Sequence, residues 1–360
     1  MPEGTQNRFR DRLLTEAIAE WLQFDVLARR LPGPDLYPPY LLVAVGIGIE
    51  YGIFDLYNYF ISGKNSFLVE PNSLAVPAMV ILAVVGGRYI HDSYASAIAA
   101  LRIEDRDSDI DATPFESLVP FRLRVGVLLV VVIVNNAFGF FVLGWGNLIA
   151  IDGIGLFLFG TLVTFPLIYL PAIVDFGLSY FAVHVSVPRR LQRADLGLFF
   201  YDPRKMGGFG PIGELLKRSY YVYTGALLLY FVQTYAPVLL SEFTTTPYGT
   251  PGPVIQLTLS VAWIVGILTI GYSMSRVHSI MKAEKDRRIR ELEDDLRNTM
   301  DKPFDIHEAE IADESEYERI TTRLQHVRDT KTYPTTFTMW SQIFISVLLP
   351  QALNLAVGVI

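Results

Sequence analysis

Apolar residues in this chain run in long uninterrupted blocks separated by short charged stretches, without the alternation of strands or the one-sided spacing of a surface helix. Seven blocks, roughly 40–62, 74–98, 122–145, 153–186, 219–241, 253–277 and 335–358, reach the length of a membrane span. A helix needs about 20 mostly apolar residues to cross ~30 Å of hydrocarbon, where lipid offers no partner to unpaired backbone groups. The fourth block is long enough to tilt or to continue past the bilayer as a helix. The pattern therefore predicts an all-α, polytopic membrane protein with seven transmembrane helices.

Two other patterns flank these blocks. The first 39 residues are charged and amphipathic, with Trp21, Leu22, Phe24, Val26 and Leu27, and lack the short apolar core and small-residue cleavage site of a signal peptide. They are expected to stay as a cytoplasmic N-terminal segment before a six-helix transmembrane domain at 40–277. In the densely charged region 278–334, apolar residues recur at helical spacing: Ile289, Leu292 and Leu296 in one stretch (278–300), Tyr317, Ile320, Leu324 and Val327 in another (313–331). Glu284/Arg288 and Glu293/Arg297 are spaced as i,i+4 pairs on the first. Such narrow stripes imply helix packed on helix, either as a hairpin within one chain or as a bundle of several.

Charge orients the spans. Of 30 Lys and Arg residues, 29 fall in or beside the loops of one face if all seven blocks cross, and Lys64 alone falls on the other. Basic loops stay in the cytoplasm, so the N-terminus is expected inside and the C-terminus outside. The charged fraction is 19%, the net charge is −7, and the acidic excess sits in solvated stretches such as EDRDSDID. That composition fits a salt-adapted, haloarchaeal type of protein whose acidic surface stays hydrated in brine. With no cysteine, disulfides, thiolate metal sites and cysteine nucleophiles are excluded.

Candidate chemistry is sparse. Asp105, Asp107, Asp109, Asp111 and Glu116 match the ligand spacing of a calcium loop, but Ile110 stands where the sharp turn requires Gly and Pro114 interrupts the loop, so a solvated acidic loop is expected. The segment 201–221 carries Gly207, Gly208, Gly210, Gly213, Pro203 and Pro211, a pattern that predicts an irregular elbow at the membrane surface. Its Arg204, Lys205, Lys217 and Arg218 are expected to face anionic headgroups. It lacks the ending of a phosphate-binding loop. No metal-ligating histidine pair, aspartate-rich motif or nucleophile elbow occurs, so neither an enzyme, a cofactor nor a metal is expected, and nothing points to nucleic acid. Charged groups at membrane depth do raise a functional question. They are Glu50 and Asp55 in the first span and Asp175 and His184 in the fourth, with Arg88, His91 and Asp92 at the inner end of the second and Asn135 and Asn136 inside the third. Hydrogen bonds and salt bridges between helices, for example Glu50 or Asp175 with Arg88, are the plainer reading.

The last block is uncharged yet carries polar residues, with Thr335, Thr338, Gln342 and Ser346 on one stripe and Gln351 and Asn354 beyond Pro350. A helix facing lipid all round has no need of such a stripe, whereas a helix lining water does, and uncharged amides pass cations without trapping them. Packing against neighbouring helices is the alternative. Together, this seven-span layout, the long fourth helix, the charged helices at 278–300 and 313–331 and the polar last helix resemble the seven-helix ion channels typified by insect odorant and gustatory receptors. Thr332-Tyr333 followed by Gln342 and Phe344 is similar to the T-Y and Q-F pairs of the gustatory receptors, at longer spacing and with Pro334 between.

The resemblance implies a cytoplasmic helical anchor built from extensions of helices 4, 6 and 7, at 278–334, and a pore helix at 335–360. It implies a homo-oligomer, a tetramer in that family, with Gln342, Ser346, Gln351 and Asn354 lining a shared axis. A small-molecule ligand pocket would lie among the outer halves of the first six helices, near Glu50, Asp55, Tyr169 and the intramembrane Asp175. The function expected is a ligand-gated cation channel, with a transporter or a non-conducting membrane sensor that holds a partner on its cytoplasmic helices as alternatives.

Overall fold

The computed structural model describes residues 9–31, 36–63, 66–69, 71–106, 113–239, 252–305 and 310–334. The seventh block, with Gln342, Ser346, Gln351 and Asn354, lies outside the described residues, as do Asp107, Asp109 and Asp111 of the acidic loop.

The described chain is almost wholly helical. Two short helices, α1 (Leu14–Trp21) and α2 (Phe24–Arg30), precede α3, which runs from 38 to 62 and holds a π-helical segment at Glu50–Asp55. Then come α4 (Ala75–Leu101) and α5 (Phe121–Phe138), the latter continued by a π segment at Gly139–Leu143. Helix α6 begins at Trp145, breaks at Gly153 and continues to Arg193. Gly153 has φ 76° and ψ 156°, a conformation a side chain would oppose. Helices α7 (Gly210–Leu239), α8 (Pro253–Asn298) and α9 (Glu314–Asp329) complete the set, with a two-residue antiparallel pairing, β1 (Met300–Asp301) with β2 (Glu310–Ile311), between α8 and α9.

Five helices among the described residues are long and apolar enough to cross a membrane: Pro38–Ile61, Pro71–Leu101, Phe121–Leu143, Gly153–Arg193 and Gln256–Asn298. They coincide with the first, second, third, fourth and sixth apolar blocks. Helix α7, which holds most of the fifth block, is 30 residues long and is not among the five; it carries Tyr220, Tyr221, Tyr223, Tyr230 and Tyr235.

Helix α4 is the hub. Its buried Val80, Val84, Ile90, Tyr94 and Ile98 pack against α7 on one side and α6 on the other. Helix α5 is peripheral and turns Leu129, Val130, Ile133 and Val134 outward. A continuous apolar face of that size is unfavourable in water and matched to lipid. The structure is thus compatible with a multi-pass membrane protein.

Helix α8 has 46 residues, about 69 Å at 1.5 Å per residue, more than twice the hydrocarbon thickness. Its lower part pairs with α9 through Leu292, Ile320, Leu324 and Val327, with Ile289, Leu296 and Phe200 against them. The two stripes expected from the sequence therefore meet each other within one chain. The ion pairs differ from the expected i,i+4 set. Glu284 holds Arg287 (2.6 Å), Arg288 holds Glu291 (2.7 Å), and Glu293 reaches across to Arg328 on α9 (3.0 Å).

The elbow is shorter than expected. Gly210, Pro211 and Gly213 belong to the first turn of α7, because a proline there lacks only an N–H that has no helical partner. The irregular part is held by Asp202, whose carboxylate accepts from the backbone N–H of Arg204 (3.0 Å), Met206 (3.1 Å) and Gly208 (3.0 Å). Burial pushes this carboxyl up, but those three donors and the Arg204 charge outweigh it and hold its pKa below the usual carboxylate range. Lys205 salt-bridges Asp329 at the end of α9 (2.8 Å), and Lys217 and Arg218 turn to Glu214 on their own helix. Three of the four elbow cations expected at the headgroups therefore have protein partners.

Candidate functional site

Three π-helical segments converge on one cavity. A π turn adds a residue to a helical turn, opens the backbone and is frequent at functional sites. Here Glu50 comes from the segment in α3, Gly139 and Leu143 from the one after α5, and Gly160, Thr161 and Phe165 from Gly160–Tyr169 in α6. The last contains Pro166, which has no N–H to give to the preceding turn, and the wider register absorbs that loss. Between these walls lies a cavity of about 350 Å³ in which Glu50, Asn135 and Asn136 are polar and Phe138, Trp145, Leu148 and Phe157 are apolar. Trp145 sits edge-on to both Phe140 (5.2 Å) and Phe157 (5.9 Å), which fixes the aromatic wall.

The Glu50 carboxylate accepts a hydrogen bond from the Tyr169 hydroxyl at 2.7 Å. Asn136, which lines the cavity, donates its amide to the carbonyl of Val132 (2.9 Å). Chemically the cavity is lined by one carboxylate residue, two side-chain amides and the Thr161 hydroxyl, a set suited to a small cationic or hydrogen-bonding solute.

Of the expected pocket residues, the structure brings Glu50 and Tyr169 together and separates the other two. Asp55 lies one turn further along α3, where it accepts from the Ser66 hydroxyl and from the Phe67 N–H (3.2 Å) and ties down the loop after α3. Asp175 belongs to a second polar centre. Its carboxylate takes Arg124 Nη1 (2.9 Å) and the Leu14 N–H (3.1 Å), Thr15 N–H (2.9 Å) and Thr15 hydroxyl (3.1 Å). Arg124 is 0% exposed and Asp175 2%. Arg124 Nη2 donates to His91 Nε2 (2.9 Å), which sets Nε2 as the acceptor and puts the ring proton on Nδ1. Ser179 lies 2.9 Å from the same nitrogen, and Asp11, 4.0 Å from Arg124, accepts from the Val119 N–H (2.8 Å).

The physical sense of this second centre is helix capping from a distance. Leu13, at the start of α1, has no side-chain acceptor, so the first N–H groups of α1 would be orphaned. Asp175, 161 positions along the chain from Leu14, supplies the missing acceptor, and Arg124 balances its charge. The expected partner Arg88 is elsewhere: it pairs with Asp92 (3.6 Å) and lies over the Tyr37 ring (4.1 Å). His184 is fully buried and its Nδ1 contacts the Tyr180 carbonyl (3.0 Å). In the sequence Arg124 counts only as one of the charges that orient the spans and not as a buried partner; its place as the third residue of the third block was the available signal.

At the N-terminal end of α7 the chain returns from α9. The Thr332 carbonyl lies 2.9 Å from His278 Nδ1, and Tyr333 stacks on that imidazole at 4.0 Å. Pro334 sits so close to α7 that a Cβ on Gly213 would come within 1.9 Å of its carbonyl oxygen. Among the described residues no cluster of His, Asp and Glu has the makings of a metal site.

Scans against protein-family models, curated proteins and solved structures find no match to this chain.

Proposed function

We propose that this chain is a seven-span membrane protein with a cytoplasmic N-terminus and an outside C-terminus. In this reading it acts as a ligand-gated, homo-oligomeric cation channel: the cavity at Glu50 takes a small polar or cationic ligand, and the 335–358 segment lines a pore shared by several copies. The observation that carries the reading is the carboxylate-bearing cavity walled by π segments of three different apolar helices. Seven spans are supported by the one-sided distribution of 29 basic residues. They are supported also by the return of the chain at Pro334 to Gly213 and His278, at the membrane end of the α8–α9 hairpin, from which an uncharged block departs.

The test is single-channel recording of purified full-length protein in planar bilayers. Gln342→Leu, which dries a constriction, is expected to lower cation conductance while leaving oligomer size unchanged. Glu50→Gln is expected to change the response to ligand and leave unitary conductance as it was. Absence of any current from correctly assembled protein, with or without organic cations, refutes the channel. A transporter is the second reading, favoured by the interrupted helices around a carboxylate. Solute exchange into loaded vesicles without measurable current would select it.

A further inference from the structure

A second cavity, of about 290 Å³, lies where the elbow before α7 meets the α8–α9 hairpin. Its floor is apolar, made by Leu292 and Val327, both buried in the hairpin core. One wall is aromatic: Phe200 packs on that core, and Tyr201 lies 4.8 Å from the His326 ring while remaining 58% exposed. The other wall carries the guanidiniums of Arg288 from α8 and Arg323 from α9, with the His326 imidazole beside them.

Most arginines of this hairpin are ion-paired, Arg288 of this wall among them (Glu291, 2.7 Å), while Arg323 on this wall and the exposed Arg290 are not, among the described residues. On the same two helices Arg287 is held by Glu284 and Asp195, Arg297 by Asp294, Arg319 by Glu316 and Arg328 by Glu293. His326 is one turn from Asp329, which Lys205 holds (2.8 Å). In a chain with net charge −7, two guanidiniums and an imidazole gathered at an exposed tyrosine face have the chemistry to receive an anion with a planar ring. Guanidiniums favour bidentate contact with phosphate oxygens, and an open aromatic face favours a planar ring.

Depth decides between lipid and soluble sources. If α8 leaves the hydrocarbon near Val277, Arg288 is 11 residues further along, about 16 Å at 1.5 Å per residue. The headgroup layer is only about 5–7 Å thick on each side, so the pocket lies clear of the headgroups and, on the seven-span orientation proposed above, on which this inference rests, opens into the cytosol. We propose that it binds a soluble nucleotide, with the phosphates on Arg323 and Arg288, the ring on Tyr201, and a size at the small end of ligand cavities (~300 Å³). Because Tyr201 belongs to the elbow and the arginines to the hairpin, occupancy would fasten these two parts together.

The test is calorimetric titration of ATP into the purified full chain in neutral-lipid nanodiscs. Saturable binding is expected, weakened about tenfold or more by Arg323→Gln and clearly weakened by Tyr201→Leu, with the exposed Arg290→Gln as an unaffected control. Unchanged thermal melting of the variants shows that they fold. Tripolyphosphate binding as tightly as ATP would overturn the stacking role. Equal binding by wild type and Arg323→Gln would overturn the site. Loss of ATP binding in nanodiscs rich in anionic lipid would assign the arginines to headgroups and refute the soluble ligand.

Discussion

Removing either member of the Arg124–Asp175 pair is the sharpest perturbation of this fold, because the two charges are buried against each other at 2.9 Å and one of them also caps α1. Arg124→Met leaves Asp175 with the Leu14 and Thr15 donors but no counter-charge, and Asp175→Leu leaves a buried guanidinium. Orphaning one member of a buried pair costs about 3–5 kcal/mol. Asp11, at 4.0 Å from Arg124, puts Asp175→Leu toward the lower end. The double variant removes both charges, and an apolar pair of similar volume is close to neutral; what remains is the uncapped start of α1, worth about 0.5–2 kcal/mol. The double variant is therefore expected to be more stable than either single one. The assay is reversible unfolding in mixed micelles of graded denaturing detergent, read by helical circular dichroism, together with trypsin cleavage after Arg12. Arg12 is itself exposed, but the Leu13–Thr15 segment after it is buried; Asp175→Leu and the double variant should both speed cleavage after Arg12, since both release the Leu14–Thr15 anchor. Additive losses in the double variant, or an Arg12 bond as protected as in wild type, would refute the capping argument.

Leu292→Ala empties a buried position of the hairpin core and should cost about 2–5 kcal/mol locally. Hydrogen exchange should rise across 314–329 while oligomer size stays constant; dissociation with the hairpin still protected would make the stripe an intermolecular one. The Asp202 loop should be pH dependent. Because its folded pKa is depressed, its stabilising effect is full above the ordinary carboxylate range and is lost as pH falls through the lowered value. Elbow proteolysis should then differ between wild type and Asp202→Ala at neutral pH and converge in acid; a difference that persists in acid would count against it. Topology is checked with an impermeant label in intact cells: a tag after Ile360 should react, and one before Met1 should not. With no native cysteine, cysteines placed at 342, 346 and 351 should react with hydrophilic thiol reagents in the purified oligomer while those at 343 and 348 stay inert; five equally inert positions would make the polar stripe a packing surface.

The sequence alone determined the all-helical class, the placement of five helices long and apolar enough to cross a membrane, and the two stripes of the α8–α9 hairpin. These follow from local rules, since lipid demands an unbroken apolar helix and a helix face repeats every three or four residues. It also marked Glu50, Asn135, Asn136 and Asp175 as costly at membrane depth. Which of them meet was decided only by the tertiary structure. Glu50 and Tyr169 are 119 positions apart, and Arg124 and Asp175 are 51 apart. No periodicity carries such pairings, because they depend on how α3, α5 and α6 are rotated and packed. The π segments were equally hidden. A single added residue in a turn leaves composition and hydropathy unchanged, and it becomes visible only when the backbone hydrogen bonds are formed. The Asp175 cap on α1 belongs to the same category: a helix start without its own capping residue reads as weak in sequence and becomes strong when a distant carboxylate supplies the acceptor.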